Sequence, residues 1–434
     1  MLIRIFLLLI TFLFSFQANS QNEKVVNWID LNAITIEDAN PNTALFTFKN
    51  NVPEKFINAK IFGFGETTHH GKEFFDLKAK FFKYLVETQD VKVFIMEESY
   101  PSEKGINEWI SGGKGNSETI AKNFSIVPWY CKEVVNLLEW MRNYNLNKKE
   151  DEQIRFFGMD IQNVDNINRE IRYLVKTYSI PVSEKQLDIL NKCVEKKVEY
   201  NKSNDWAEIN IPILDDIRDI IINHKTEIKE KNISEFNSAL RALDYLTKYT
   251  FYVQNNYSQD RDLKMFENVQ RIIKNKSKNG KAFIWAHNEH INNKGFGNYN
   301  NRNIYNLGRH LKENYQNDYY SVGFDFGTGT LGGYIFTENK SNEWKTYKLD
   351  KPFSKTYAET FNQAKDDIYY IDMSIALKSK VASFLKKKTN QIILGGSGYN
   401  PNRNNLYKKR LSEMYDGLIY IKNISLPNYR MSAK

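Results

Sequence analysis

Eight short apolar runs limit what this chain can become: Lys60–Gly65 (KIFGFG), Val91–Glu97 (VKVFIME), Ile154–Asp160 (IRFFGMD), Ala282–His287 (AFIWAH), Tyr319–Phe326 (YYSVGFDF), Ile368–Met373 (IYYIDM), Ile392–Gly395 (IILG) and Gly417–Lys422 (GLIYIK). Within each run the apolar residues follow one another instead of alternating, the pattern of strands buried on both faces. Helical periodicity separates several of them, over Glu73–Thr88, Cys131–Asn143, Ile304–Asn314 and Ser374–Lys386. Strand–helix alternation of this kind predicts an α/β fold, a mostly parallel central sheet flanked by helices. With 434 residues, 41% of them hydrophobic and 14% aromatic, the chain has enough apolar material to bury such a sheet.

The pattern changes between 161 and 260. Long Lys/Glu-rich amphipathic segments replace the strands there, among them INREIRYLVKTY and EFNSALRALDYLTKYTFYVQNNY. The expected organisation is an α/β catalytic core over 21–160 and 261–434, interrupted by a helical insertion or lid at 161–260. A helical continuation without a core of its own is the other reading. Residues 1–20 read as a signal peptide: Arg4 precedes an apolar run, Ile5–Phe16, too short to span a bilayer, and Ala18-Asn19-Ser20 supplies small residues for cleavage. Export to the periplasm or beyond follows, with no stable membrane insertion of the mature chain. Its two cysteines, Cys131 and Cys193, permit a disulfide without predicting one. The net charge of +9 is spread over the sequence without a recognisable nucleic-acid module, so a lysine-rich solvated surface is expected and no nucleic-acid partner. Nothing in the sequence specifies an oligomeric state.

The polar residues at the strand ends carry the functional argument. Glu66 and His69 follow the first run in GETTHHGKEFF; Glu97 ends the second, Asp160 the third, and His287 the fourth, with His290 close behind in HNEH. The carboxyl ends of parallel strands converge on one edge, where ligands bind. Four of the six histidines (69, 70, 287 and 290) lie in these two loops. On the helix after the first loop, Phe74, Leu77, Phe81, Phe82 and Leu85 form an apolar stripe, with Lys78 in its middle and Asp76, Lys80, Lys83 and Glu87 on the opposite, solvated face. A lysine at that position snorkels to water or meets a carboxylate such as Glu66 or Glu97.

Two chemistries suit this set. In one, His69 is a general base for water, oriented by Glu66 or Glu97, while His287, His290 and Lys78 receive the oxyanion. In the other, Glu66, His69, Glu97, His287 and His290 supply ligands to zinc or another divalent metal in a hydrolase acting on an amide or peptide. A third reading is not enzymatic: a binding protein that holds haem or another ligand through the same histidines. The sequence has no GxSxG elbow and no complete phosphate loop.

GETTHHGKEFFDLKAKFFKYLVE resembles the opening motif of the erythromycin esterase family, close to G-E-A-T-H-G-x-x-E-F-F. The likeness continues through VFIMEESY, PWYCKEVVNLLEWMRNYN, IRFFGMDIQ, RDLKMFENV, FIWAHNEHI and MYDGLIYI, roughly 45 to 425. The resemblance implies an α/β core with added helices and a hydrolase that opens an ester or lactone, a macrolide in the better-known members. It makes His69 the base, Glu66 its partner, and Glu97, His287 and His290 the rest of the site, without a cofactor. His70, Asp160, Trp129 and Arg261 are expected on the substrate side, and the expected partner is a small-molecule ester. Lys78 stands where macrolide-active members carry arginine, and His70 where glycine is common.

Overall fold

The computed structural model describes residues 22–195, 205–255, 258–299, 302–336 and 342–429; the expected signal peptide lies outside them. The chain divides into two compact units, one formed by residues up to 92, 128–140 and 278–434, the other by 93–127 and 141–277. The strands are β1 (Ile34–Thr35), β2 (Ile61–Phe64), β3 (Val93–Ser99), β4 (Arg155–Asp160), β5 (Ala282–Trp285), β6 (Gly297–Tyr299), β7 (Arg302–Ile304), β8 (Tyr319–Phe336), β9 (Asn342–Leu349), β10 (Ile368–Asp372), β11 (Thr389–Ile392), β12 (Leu406–Lys409) and β13 (Gly417–Ile424).

In the first unit the strand order is β1-β10-β13-β8-β2-β5, with β9 paired to β8. The central pairings β13–β8, β8–β2 and β2–β5 are parallel, and antiparallel pairing in this sheet is confined to β1–β10, β10–β13 and β8–β9. The fold is therefore α/β with mostly parallel central strands. Every residue of β2 is buried, which is why its run shows no polar alternation. Phe64 is in register with Trp285 on one side and Val322 on the other. The loops after β2 and β5 thus leave the sheet at the same edge.

Two expectations shift. β8 runs ten residues beyond Phe326, and its extension pairs with Asn342–Leu349, a half-exposed stretch (NEWKTYKL) that no apolar run marks. The run Ile392–Gly395 is not a strand; Thr389–Ile392 pairs with Leu406–Lys409 instead. Ile393 N–H still reaches the Asn405 carbonyl at 3.0 Å, and from Leu394, whose N–H is held by the Thr67 carbonyl at 3.0 Å, the backbone leaves the pairing.

Helix α1 (Lys72–Gln89) buries the predicted stripe of Phe74, Leu77, Phe81, Phe82 and Leu85. Ring contacts tie it to the sheet: Phe74 with Phe324 at 5.7 Å, Phe81 with Phe64 at 5.2 Å and Phe82 with Phe283 at 5.2 Å. Each such side chain contributes about 1.5–3 kcal/mol when taken out of water. The helix ends at Asp90, which adopts a left-handed conformation. Its opposite face is less solvated than the sequence suggests. Lys80 is buried, its ammonium donating to Asp38 O at 2.8 Å, Asp38 Oδ1 at 2.9 Å and Thr43 Oγ1 at 2.9 Å.

In the second unit β3 and β4 pair in parallel, with a register shift between Met96 and Ser99. The described residues after Asp160 are helical, at Ile167–Thr177, Glu184–Cys193, Trp206–Asn223, Lys225–Asn255 (kinked at Asn232) and Ser258–Lys276. Their apolar faces meet in a cluster that includes Ile171, Leu174, Leu214, Ile217, Leu243 and Leu246. Cys131 and Cys193 are both buried and free. Among the described residues no helix is long and apolar enough to cross a membrane.

Candidate active site

The loop after β2 is built around a glycine that nothing larger can replace. A Cβ on Gly65 would fall 2.1 Å from Asn288 Oδ1. Asn288 comes that close because it locks the two strand-end loops together: its N–H donates to the Glu66 carbonyl at 2.9 Å, and its side chain exchanges hydrogen bonds with the Phe324 backbone at 2.7 and 3.1 Å.

Glu66, thus fixed, is fully buried. Its Oε1 accepts from His69 Nδ1 at 2.5 Å and its Oε2 accepts from the Lys78 ammonium. Lys78 does not snorkel: its side chain has no exposed surface, and its Nζ sits 4.0 Å from the centre of the Trp285 ring. The stripe position that looked wrong for a lysine delivers its charge to Glu66. With Nδ1–H held by a carboxylate, the lone pair of His69 lies on Nε2. The ring is 6% exposed and walled edge-on by Trp129 at 5.0 Å and His287 at 5.3 Å.

His287 plays a different part from the one expected. Its Nδ1 accepts from the Glu289 N–H at 3.1 Å, capping the short helix Asn288–Ile291. The proton therefore lies on Nε2, which points at the carbonyls of Thr67 (3.2 Å) and Leu394 (3.1 Å). With both nitrogens committed, His287 has neither a lone pair for a metal or haem iron nor an N–H for an oxyanion. Lys78, bound to Glu66, is likewise not the oxyanion donor expected of it. The His290 ring packs against Phe296 at 6.0 Å. Among the described residues no group of three or more His, Cys, Asp or Glu side chains is arranged to hold a metal ion.

Trp129 is fully buried against His69 and Phe75, so it supports the imidazole and is not a substrate contact. His70 is also structural. Its Nδ1 faces the Tyr429 hydroxyl, its Nε2 the Gly396 carbonyl at 3.4 Å, and its ring the Trp344 ring at 4.9 Å. Tyr429 ends a strap held by two glutamates in the same way. Glu73 takes the N–H (2.7 Å) and hydroxyl (2.6 Å) of Ser425, and Glu133 takes the N–H (3.1 Å) and amide (2.6 Å) of Asn428. No motif or periodicity marks this strap.

Burial pushes the His70 pKa down to about 3. The unfolded value is about 6.5. Between these pH values the unfolded chain binds a proton at this position that the folded chain does not. The stabilisation from neutral His70 is therefore complete above about pH 6.5 and falls as pH drops toward 3, by up to about 1.4 kcal/mol per unit. In denaturant unfolding, His70→Gln should be less stable than wild type near neutral pH, with a gap that narrows at about pH 5. A gap independent of pH would contradict a buried neutral His70.

In the second unit Arg261 brings together three residues that the sequence singles out. It donates to Asp160 through Nε (2.9 Å) and Nη2 (2.7 Å), and to Glu97 Oε1 at 2.9 Å. Burial would lower the guanidinium pKa, but Asp160 and Glu97 hold it well above its usual value. Asp160 Oδ1 also accepts the Ile161 N–H at 2.7 Å. These groups form an internally bonded anchor at the β3–β4 ends, so Arg261 and Asp160 do not stand open toward substrate, and Glu97 has Arg261 as a charge partner. Next to them Glu98, which no sequence pattern singles out, is buried, and its carboxyl is pushed up to about 7 by that burial. It accepts the N–H groups of Ser99 (2.6 Å) and Ser125 (3.0 Å). A groove of about 350 Å³ beside α1, lined by Lys49, Lys80, Lys83, Tyr84 and Trp140 among others, contains none of the site residues.

Comparison with known proteins agrees with this fold. The chain is 24% identical over 298 residues to erythromycin esterase type II of Escherichia coli, covering 63% of this chain and 70% of that one. It superposes on a Bacillus cereus protein of known crystal structure with a TM-score of 0.79 at 22% identity, over 94% of this chain and 99% of that one. A succinoglycan biosynthesis protein gives 0.72 at 21% identity, over 94% and 99%. A mutant of the erythromycin esterase EreC, in its open conformation, gives 0.58 at 15% identity, over 91% and 98%. The model of the family described as erythromycin esterase matches residues 86–424. That range begins after the Glu66–His69 loop, whose role rests on the geometry above. With a match over most of its length, this chain belongs to the erythromycin esterase family.

Proposed function

We propose that the protein hydrolyses a carboxylic ester or lactone with water activated by His69. The observation that carries this reading is the buried line Lys78–Glu66–His69, which orients the imidazole and leaves Nε2 as base. Membership of the family supports hydrolase chemistry, and the likeness to the Escherichia coli esterase supports a lactone of the macrolide class as substrate.

In the proposed step His69 Nε2 takes a proton from water as the water oxygen bonds to the ester carbonyl. The Nδ1–H stays donated to Glu66, whose negative charge stabilises the imidazolium. The tetrahedral adduct then breaks its C–O bond, and the proton on Nε2 passes to the leaving alkoxide. The products are an acid and an alcohol, or for a lactone a single hydroxy acid. Base catalysis of this kind contributes about 10²–10⁴-fold.

The test is hydrolysis of a panel of esters and macrocyclic lactones, with enzyme quenched during turnover and weighed by mass spectrometry. Turnover without an acyl adduct, and undiminished after dialysis against a chelator, is the expected result. An acyl-enzyme mass, or activity restored only by added metal, would overturn the mechanism.

A further inference from the structure

Of the 21 glycines in the chain, all but two are marked by backbone conformation or by a close neighbour. Each of the others either has a positive φ or would place a Cβ within 2.7 Å of another atom. The exceptions are adjacent: Gly395 and Gly396, neither with a positive φ and, chain neighbours aside, neither with any atom of the described residues within 4 Å of an added Cβ. Both are exposed. Gly398, two residues on, shows the contrast. It has φ +76°, and its Cβ would lie 2.2 Å from the Gly332 carbonyl and 2.9 Å from the His70 ring.

Their place in the fold gives the missing side chains a meaning. The turn Gly395–Gly398, closed by Gly398 N–H to Gly395 O at 2.8 Å, is fastened to the His69 loop at both ends. Leu394 N–H donates to Thr67 O at 3.0 Å, and Leu394 O accepts from His287 Nε2, whose ring walls His69. On the other side Gly396 O faces His70 Nε2 at 3.4 Å. The open space over Gly395 and Gly396 therefore adjoins the loop that carries the base. Glycine raises the cost of ordering a chain, and here packing and backbone geometry give no compensation.

We infer that the Gly395–Gly396 backbone is the floor of a subsite for the bulky portion of the substrate, a cyclic or heavily branched ester, which occupies the volume that side chains would fill. This rests on the hydrolase reading above. The test uses Gly395→Ala, Gly396→Ala and Gly396→Leu, a macrolide lactone as the bulky probe and phenyl acetate as the small one. Thermal unfolding should be unchanged or shifted upward, because the unfolded chain loses freedom and the folded one has room. For the lactone, kcat/KM should fall with side-chain size, by roughly tenfold for alanine and 100-fold for Gly396→Leu, while phenyl acetate changes by less than about threefold. Calorimetric binding of the lactone to His69→Ala protein, with and without Gly396→Leu, should show a Kd raised about tenfold or more, independent of turnover.

Unchanged lactone kinetics and binding in Gly396→Leu would overturn the inference. So would a fall of several degrees in Tm, which would return the glycines to the fold. An equal loss on both esters at alanine would point to backbone mobility and also defeat it, as would a wild-type protein that does not bind the lactone. Full turnover by His69→Ala would instead defeat the base assignment and leave the binding result to decide the subsite.

Discussion

Replacing His69 by alanine should lower kcat for ester hydrolysis by about 10²–10⁴-fold while leaving thermal unfolding within about 1–2 kcal/mol of wild type. The imidazole is the group whose lone pair remains after its other nitrogen is bound to Glu66, so its removal takes away the proton acceptor and not a structural anchor. His69→Gln keeps much of the volume between Trp129 and His287 and should be equally inactive. KM should change little in either variant, since the base acts on water rather than holding the ester. Retention of more than about a tenth of the wild-type rate in both would remove His69 from the mechanism.

Lys78→Met should have the largest effect on stability. The ammonium and the Glu66 carboxylate both have zero exposed side-chain surface, so losing one partner leaves a buried charge uncompensated, at a cost of about 3–5 kcal/mol. The Glu66 carboxylate would also lose the ammonium that fixes it against His69, so kcat should fall as well. Lys78→Met combined with Glu66→Gln should be less destabilised than the sum of the single changes, because the neutral amide no longer needs an ammonium. A denaturant midpoint for Lys78→Met that matches wild type, or strict additivity in the double variant, would show that the pair is not the buried support described here. Glu66→Gln alone separates the two roles, since it keeps the shape of the site and removes the charge that orients His69.

Much of the site is legible in the residue pattern alone. Buried parallel strands write themselves as unbroken apolar runs, so β2 and β5 and the loops after them can be placed from KIFGFG and AFIWAH. Lys78 is visible as a conflict, a charge inside the stripe of α1, and a conflict of that sort points to a partner. The partner's identity is readable only as a choice between Glu66 and Glu97, because direction in space is not encoded by periodicity. His287 illustrates what sequence does not carry. Its type and strand-end position suit catalysis, yet its tautomer is fixed by Glu289 N–H and by the carbonyls of Thr67 and Leu394, which no motif encodes. His70 loses its expected role for the same reason. β9 escapes detection because NEWKTYKL is half-exposed, and the burial of Lys80 because its cover, Asp38 and Thr43, lies in an irregular segment without a pattern.

The strap that ends at Tyr429 makes the bracing of the Glu66–His69 loop a long-range matter. The loop and the hydroxyl that faces His70 lie 359 positions apart in the sequence. Contacts that distant form late in folding, since a long loop must close before they can be made. A refolding chain is therefore expected to form the Glu66–His69 pair, three residues apart, before the strap that braces their loop. The two glutamates at the starts of α1 and the helix Lys132–Asn145 are thus the latches that fasten this distant segment beside the Glu66–His69 loop.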